Sequence, residues 1–152
     1  MIRFTWNHLN NQITTQAIAK LYHAKGLTTD TSYIVGKLCD RLDRERKKIS
    51  EAIISLHKEY KVWDEEKKRP IMGEAGSLAF ESKEKEDEHD AKFEKLMETE
   101  VRLSQFQPIH INKLGNQVGL TPIEVGFLSP FLGGLPEIDE EDDSDIVDAE
   151  AV

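Results

Sequence analysis

A stripe of apolar residues at helical spacing constrains the fold of this chain more than any other feature. Its members are separated by three, four or seven positions, a near-heptad pattern over about four heptads; they are Ile34, Leu38, Leu42, Ile49, Ile53, Leu56, Tyr60 and Trp63. The step of seven skips one core position, which Glu45 or Arg46 would occupy. Charged residues cover the other faces and can pair along the helix. The pattern therefore predicts one long helix.

The length of this helix predicts a partner. Thr29, Asp30 and Thr31 are candidate N-caps, and about 30 residues at 1.5 Å each give a helix about 45 Å long. A domain of this size has a radius of gyration of only about 14 Å. We expect one end to project or to be covered by a protein partner or a second copy of the chain. The candidate protein interface on this helix is Leu42, Ile49, Ile53, Leu56, Tyr60 and Trp63.

Shorter elements are predicted before the long helix and at the β patch. Ile2, Phe4 and Trp6 alternate with polar residues, which predicts a strand, and Val101 and Leu103 predict a second strand that pairs with it. Residues 7–11 are expected to form a turn. The helix that follows is expected to end at Gly26 in the C′ position.

The second half of the chain carries further signals. Residues 64–80 contain Pro and Gly and predict an extended loop or a weak hairpin. A second helix is expected over residues 82–99. Thr121-Pro122-Ile123-Glu124 has the cap, the proline and the glutamate of a helix start, and this helix ends before Pro130.

Together these elements predict an α+β fold that is mostly helical. A long helix packs on a shorter antiparallel helix, beside a small two-stranded β patch. We assign residues 1–132 to one helical domain and residues 133–152 to an acidic, disordered tail. The tail holds nine acidic residues and no Lys or Arg, so it accounts for the whole net charge of −9.

The charge distribution limits the partners of the domain. Because the body is formally neutral, it lacks the surplus of Lys and Arg that nucleic-acid binding requires, and we expect no direct nucleic-acid binding. No apolar run approaches the roughly 20 residues that span a bilayer, and the first residues lack a signal-peptide core, so no membrane association is expected. The tail is interpreted as a solubilising extension, as a docking segment for a basic protein surface, or as a nucleic-acid mimic.

The residues capable of chemistry form no recognised motif. Cys39, the single cysteine, is interpreted as a buried or half-buried structural thiol in a reducing compartment. His89 lies among Glu86, Asp87, Glu88 and Asp90, a mixture found in metal sites. Consecutive helical residues point in different directions and no second His follows four positions later, so we interpret the cluster as a solvated helical face. The other histidines are scattered. We predict no catalytic residue, no cofactor and no metal, and therefore no enzyme.

Three aromatic residues, Trp6, Tyr60 and Trp63, are candidate interface anchors, because aromatic residues dominate binding hot spots. For Trp6 we favour ordinary core packing. For Trp63, at the far end of the long helix, core packing and an interface role remain equally open.

The order of the segments resembles small helical proteins of tailed bacteriophages and prophages. The resemblance covers residues 1–132 and rests on the long charged helix ending at Lys58-Glu59-Tyr60, and on Leu120-Thr121-Pro122 introducing a helix that ends at Pro130-Phe131-Leu132. It implies a non-enzymatic structural or assembly accessory protein that binds protein, in the virion or the host cytoplasm. The alternative is a small acidic inhibitor of a host protein, with the tail as a decoy. A metal-dependent activity around His89 ranks last.

Overall fold

The computed structural model describes residues 1–138 and is mostly helical. The elements follow in the order β1 (Ile2–Thr5), α1 (Trp6–Asn10), α2 (Gln12–Tyr22), α3 (Thr29–Glu59), β2 (Trp63–Asp64), β3 (Arg69–Pro70), α4 (Lys83–Met97), β4 (Glu100–Leu103), β5 (Ile109–His110), α5 (Pro122–Leu128) and β6 (Leu132–Gly133). The acidic run from residue 139 onward, and with it the predicted disorder of the tail, lies outside the described residues.

The predicted β patch is confirmed. β1 and β4 pair antiparallel, with Ile2 opposite Leu103 and Phe4 opposite Val101. These four side chains are buried, whereas Arg3 and Arg102, which also face each other across the pair, are exposed. The alternation of buried and exposed positions is the pattern expected of strands with one face on the core.

The long helix is also confirmed, with different ends. Thr28, rather than a residue from Thr29 to Thr31, is the N-cap, and its hydroxyl accepts from the Thr31 N–H. The helix ends at Glu59, so the prediction that Trp63 continues it is wrong. Trp63 instead begins a short hairpin, in which it lies opposite Pro70, as the hairpin alternative for residues 64–80 predicts.

The far end of α3 is covered by the chain itself, which removes the predicted need for an external cover. Leu56, Tyr60 and Val62 form a small second cluster. Leu78, Phe80 and Phe93, from the loop after the hairpin and from α4, pack against it. Residues 62–97 return along the end of the helix, so a helix longer than the main core is still buried on one side. A protein partner stays a prediction.

The core position skipped by the stripe is filled by Glu45, which is buried. Its carboxylate accepts from the indole N–H of Trp6 at 2.9 Å and from Arg41 Nη1 at 2.8 Å. These hydrogen bonds compensate the cost of burying a charge. Trp6 packs half-buried against the main core, in agreement with the favoured prediction.

Two local predictions before α3 are wrong. Residues 7–11 contain most of α1, because the Thr5 side chain caps a short helix where a turn was expected. α2 ends at Tyr22 with His23 as its C-cap, before Gly26 is reached. Gly26 nevertheless has a φ of +81°, so it turns the chain toward α3.

The helices of the second half begin as the sequence predicts. Ser82 caps α4 by accepting from the Lys85 N–H. Thr121 and Glu124 form a reciprocal capping box at α5, with Pro122 in the first turn. α5 packs against α2, and Lys20 Nζ lies 2.6 Å from Glu124 Oε1.

A parallel strand pair that the sequence did not reveal joins β5 to β6, with Ile109 opposite Leu132 and His110 opposite Gly133. Leu135 is half-buried against the main core. The packed chain therefore extends a few residues beyond the predicted boundary at residue 132.

Candidate functional site

The predicted interface residues lie largely inside the domain. Leu42, Ile49, Leu56 and Tyr60 are buried, and Ile53 is half-buried against the main core. Trp63 is half-buried and stacks on His57 with ring centroids 6.5 Å apart. These six residues are thus covered wholly or partly by their own chain, whereas Ile34, at the start of the stripe, is exposed.

An apolar cavity lies along the first turns of α3, at the edge of the stripe. Tyr33 is 67% exposed and Ile34 43% exposed. Facing them is the segment that links β4 to β5, including Phe106 and Pro108, and the cavity between has a volume of about 420 Å³. Two large, solvent-exposed apolar side chains beside a concave surface are typical of a binding site.

A cationic cavity of about 700 Å³ continues from the apolar one, with which it shares Lys37, Gln105 and Phe106. Its charged lining consists of four cations and one acid: Lys37, Arg41, Arg44, Arg102 and Asp40. We call the two cavities together the α3 groove. Tyr33, Lys37, Arg41 and Arg44 form one wall of it, because a spacing of three or four residues keeps side chains on the same helical face.

The cations of the groove differ in how they are held. Arg41 pairs with the buried Glu45, and Arg102 Nε lies 3.0 Å from the exposed Glu100. Lys37 Nζ sits 5.5 Å from the centre of the Tyr33 ring. Arg44 forms no ion pair with any residue in the range 1–138. Arg44 is therefore the arginine of this lining whose fork-shaped donors have no carboxylate partner among residues 1–138, and such donors suit a carboxylate.

A second unusual site joins α3 to α4. His57 Nδ1 and His89 Nε2 are 3.1 Å apart, and His89 Nδ1 lies 3.1 Å from a carboxylate oxygen of Asp90. If the Asp90 carboxylate accepts from His89, then His89 Nε2 accepts from His57, which fixes both neutral tautomers. Both imidazoles are buried, His57 at 7% exposure and His89 at 3%.

This geometry corrects the interpretation of His89. The residue was predicted to lie on a solvated face, but Tyr60, Phe80 and Phe93 surround its ring. The sequence signal was weak because α4 is polar on most sides, so one buried histidine was masked by its charged neighbours. Burial lowers the pKa of His57, and the charge of His89 lowers it further, so the fold favours the neutral form of His57.

Cys39 is buried, as predicted. Burial, together with the nearby charge of Asp40, raises its pKa to about 11, so the thiol stays protonated near neutral pH and is a poor nucleophile.

Within residues 1–138 no three His, Cys, Asp or Glu side chains converge on a metal-binding geometry. None of the helices in this range combines the length and apolar character of a membrane span.

The sequence contained one signal for the groove that was not used. Lys37, Arg41 and Arg44 recur at the spacing of one helical face, which is visible without a structure. The contribution of Arg102 and the linker after β4 depends on tertiary folding and could not be predicted from neighbouring residues.

No family model matches this chain, and no curated protein or solved structure is significantly similar to it.

Proposed function

We propose that this protein is a non-enzymatic binding module whose α3 groove holds an extended, acidic segment of a partner protein. The observation that carries the proposal is the direct continuation of an apolar cavity into a cationic one. A segment with apolar side chains followed by Asp or Glu would complement both halves. This ligand chemistry differs from the self-association through the stripe that the sequence first suggested.

The apolar half supplies the anchor for such a segment. Tyr33 and Ile34 are the exposed side chains whose burial by a partner would contribute most, because apolar area removed from water drives association. Aromatic residues at the centre of an interface are frequent hot spots. Phe106 and Pro108 form the facing wall and are half-buried already, so little ordering is needed there.

The cationic half supplies direction and selectivity. Among the described residues, neither Arg44 nor Lys37 has a carboxylate within ion-pair distance. Lys37 forms a cation–π contact with the Tyr33 ring. Opposite charge accelerates encounter and disfavours basic partners. From Tyr33 to Arg44 the helix rises about 16 Å at 1.5 Å per residue, which about five residues of extended chain would match at 3.3 Å each.

The biological setting that we propose comes from the resemblance to proteins of tailed bacteriophages. In that setting the groove would recognise a virion or scaffold component during assembly, and the protein would act as a structural or assembly accessory factor. An inhibitor of a host protein would use the same binding chemistry with a different partner. Neither setting requires a catalytic residue.

The experiment is a fluorescence titration of the full chain with a labelled synthetic peptide in which leucines precede a run of glutamates. Binding is expected for the wild type, with affinity reduced roughly tenfold or more by Tyr33→Ala or Arg44→Glu, the range of interface hot spots. Tyr22→Ala and Lys47→Glu are matched controls, because both residues are exposed and line neither half of the groove.

Two results would contradict the proposal. One is equal binding of the peptide by the wild type and the groove variants. The other is tighter binding of an oligonucleotide than of the peptide at the same ionic strength, since phosphate recognition would then explain the cations.

A further inference from the structure

A third cavity, separate from the α3 groove, lies between α3, the hairpin of β2 and β3, and the start of the chain. Its volume is about 300 Å³. The polar residues that line it include Arg46, Ser50 and His57. Its apolar walls are Leu9, Ile53, Ile54, Trp63 and Pro70. A mostly apolar pocket with a few convergent polar groups is the usual form of a small-ligand site.

Arg46 is the unusual member of this lining. Its Nε and Nη2 atoms are shielded from solvent, yet no residue of the described chain accepts a hydrogen bond from either of them. The charge of Asp43 is close enough to affect the pKa of Arg46, but the Asp43 carboxylate forms no ion pair with the Arg46 guanidinium. A guanidinium keeps its charge in proteins, and two shielded donors without acceptors are costly. An oxyanion that displaced the atoms shielding them would satisfy both donors with one planar group.

His57 also lines the cavity, beside Arg46. When its Nδ1 donates to His89, its Nε2 is an acceptor, so His57 contributes its ring to the wall rather than a donor to the anion. The Trp63 ring is nearly parallel to the His57 ring, with an interplanar angle of 17°. The two rings are therefore stacked, and both line the cavity with Arg46.

We propose that this cavity binds a small organic carboxylate, with its carboxylate on Arg46 and its apolar body between Trp63 and the aliphatic wall. The size and apolar walls favour an organic acid over a bare inorganic ion. The two sites stand apart, because the lining of this cavity includes no residue of the α3 groove.

The test uses benzoate as the probe and nuclear magnetic resonance of the isotope-labelled full chain. Benzoate is expected to shift the Trp63 indole signal saturably, whereas benzamide, its neutral analogue, is not. Arg46→Met should weaken benzoate binding roughly tenfold or more, as expected for loss of a charged hydrogen-bonding partner. Lys47→Met, one position later on an exposed face, should leave binding unchanged. Ile54→Phe, which fills the cavity and keeps Arg46, should also abolish binding, so the proposal does not depend on one variant folding.

Several outcomes overturn it. Equal binding of benzamide and benzoate would show that the carboxylate charge does not contribute to binding. Equal or tighter binding of inorganic phosphate would show that the apolar walls do not contribute. Loss of benzoate binding in Arg44→Met but not in Arg46→Met would show that benzoate binds in the α3 groove instead of this cavity. No saturable shift with benzoate would reject the site altogether.

Discussion

His57 and His89 are 32 positions apart in the chain and 3.1 Å apart in the fold, where one imidazole meets the other between α3 and α4. Aromatic rings from three segments enclose the pair: those of Trp63, Phe80 and Phe93. Two buried imidazoles can form a hydrogen bond with each other only while at least one of them is neutral and can accept it. The contact between the two helices is therefore sensitive to protonation.

The first prediction is that acid weakens the fold through this pair. The pKa of His57 is lowered from 6.5 by burial first and by His89 second. The unfolded chain then binds a proton more readily than the folded one, so this stability is present above pH 6.5 and is lost as the pH falls below it. The melting temperature of the wild type is expected to fall between about pH 7.5 and 5.5, the range in which histidine titrates.

Variants identify the source of that dependence. His57→Gln should have a flatter melting profile over the same interval, because it cannot take up the proton. His23→Gln, at the exposed end of α2, is the control and should retain the wild-type slope. Parallel profiles for wild type and His57→Gln would show that other groups cause the acid sensitivity.

A second prediction concerns the buried carboxylate of Glu45. Glu45→Ala should lower the free energy of unfolding by about 1–3 kcal/mol, because Trp6 Nε1 and Arg41 lose their acceptor inside the fold. Glu45→Gln should lose less, since its amide oxygen can still accept one of these hydrogen bonds. Urea denaturation monitored by circular dichroism measures both. Glu51→Ala, at an exposed position of α3, should be close to neutral, and a loss as large as that of Glu45→Ala would argue against a specific polar core.

A third prediction follows from the ion pair that links α5 to α2. The hydrogen bond from Lys20 and then that from the Thr121 backbone lower the pKa of Glu124 to about 2. Its contribution is therefore present above pH 4.5 and is lost as the pH falls toward about 2. Glu124→Gln should melt below the wild type at neutral pH, and the difference should shrink in acid. Glu98→Gln, an exposed carboxylate after α4, should show no such convergence; a constant Glu124→Gln difference at all pH values would contradict the assignment.

Local signals in the sequence identified the elements that depend on local chemistry. The capping box at Thr121 and the alternation in β1 and β4 need only neighbouring residues, and both are present in the fold. The stripe identified α3 for the same reason. It could not distinguish burial by a partner from burial by residues 62–97, because periodicity defines an apolar face but not what covers it.

The candidate sites were less predictable because they depend on residues distant in sequence. His57 meets His89 only after α4 returns to α3, and the surroundings of His89 in the sequence are polar on both sides. Arg102 joins Lys37 and Arg44 only because β4 pairs with β1 and places the following linker against α3. Equal totals of positive and negative charge in the body conceal this local excess.

The fourth prediction tests binding of an acidic segment by the α3 groove through a charge swap. Arg44→Glu combined with Arg102→Glu should reject the leucine–glutamate peptide and should bind a matched peptide in which lysines replace the glutamates. The wild type should show the opposite preference, because complementary charge selects the partner in this half of the groove. A fluorescence titration of the two proteins with the two peptides at one ionic strength measures all four affinities. Inverted preferences are the predicted result, and the same peptide preference in both proteins would contradict acidic-segment recognition by the groove.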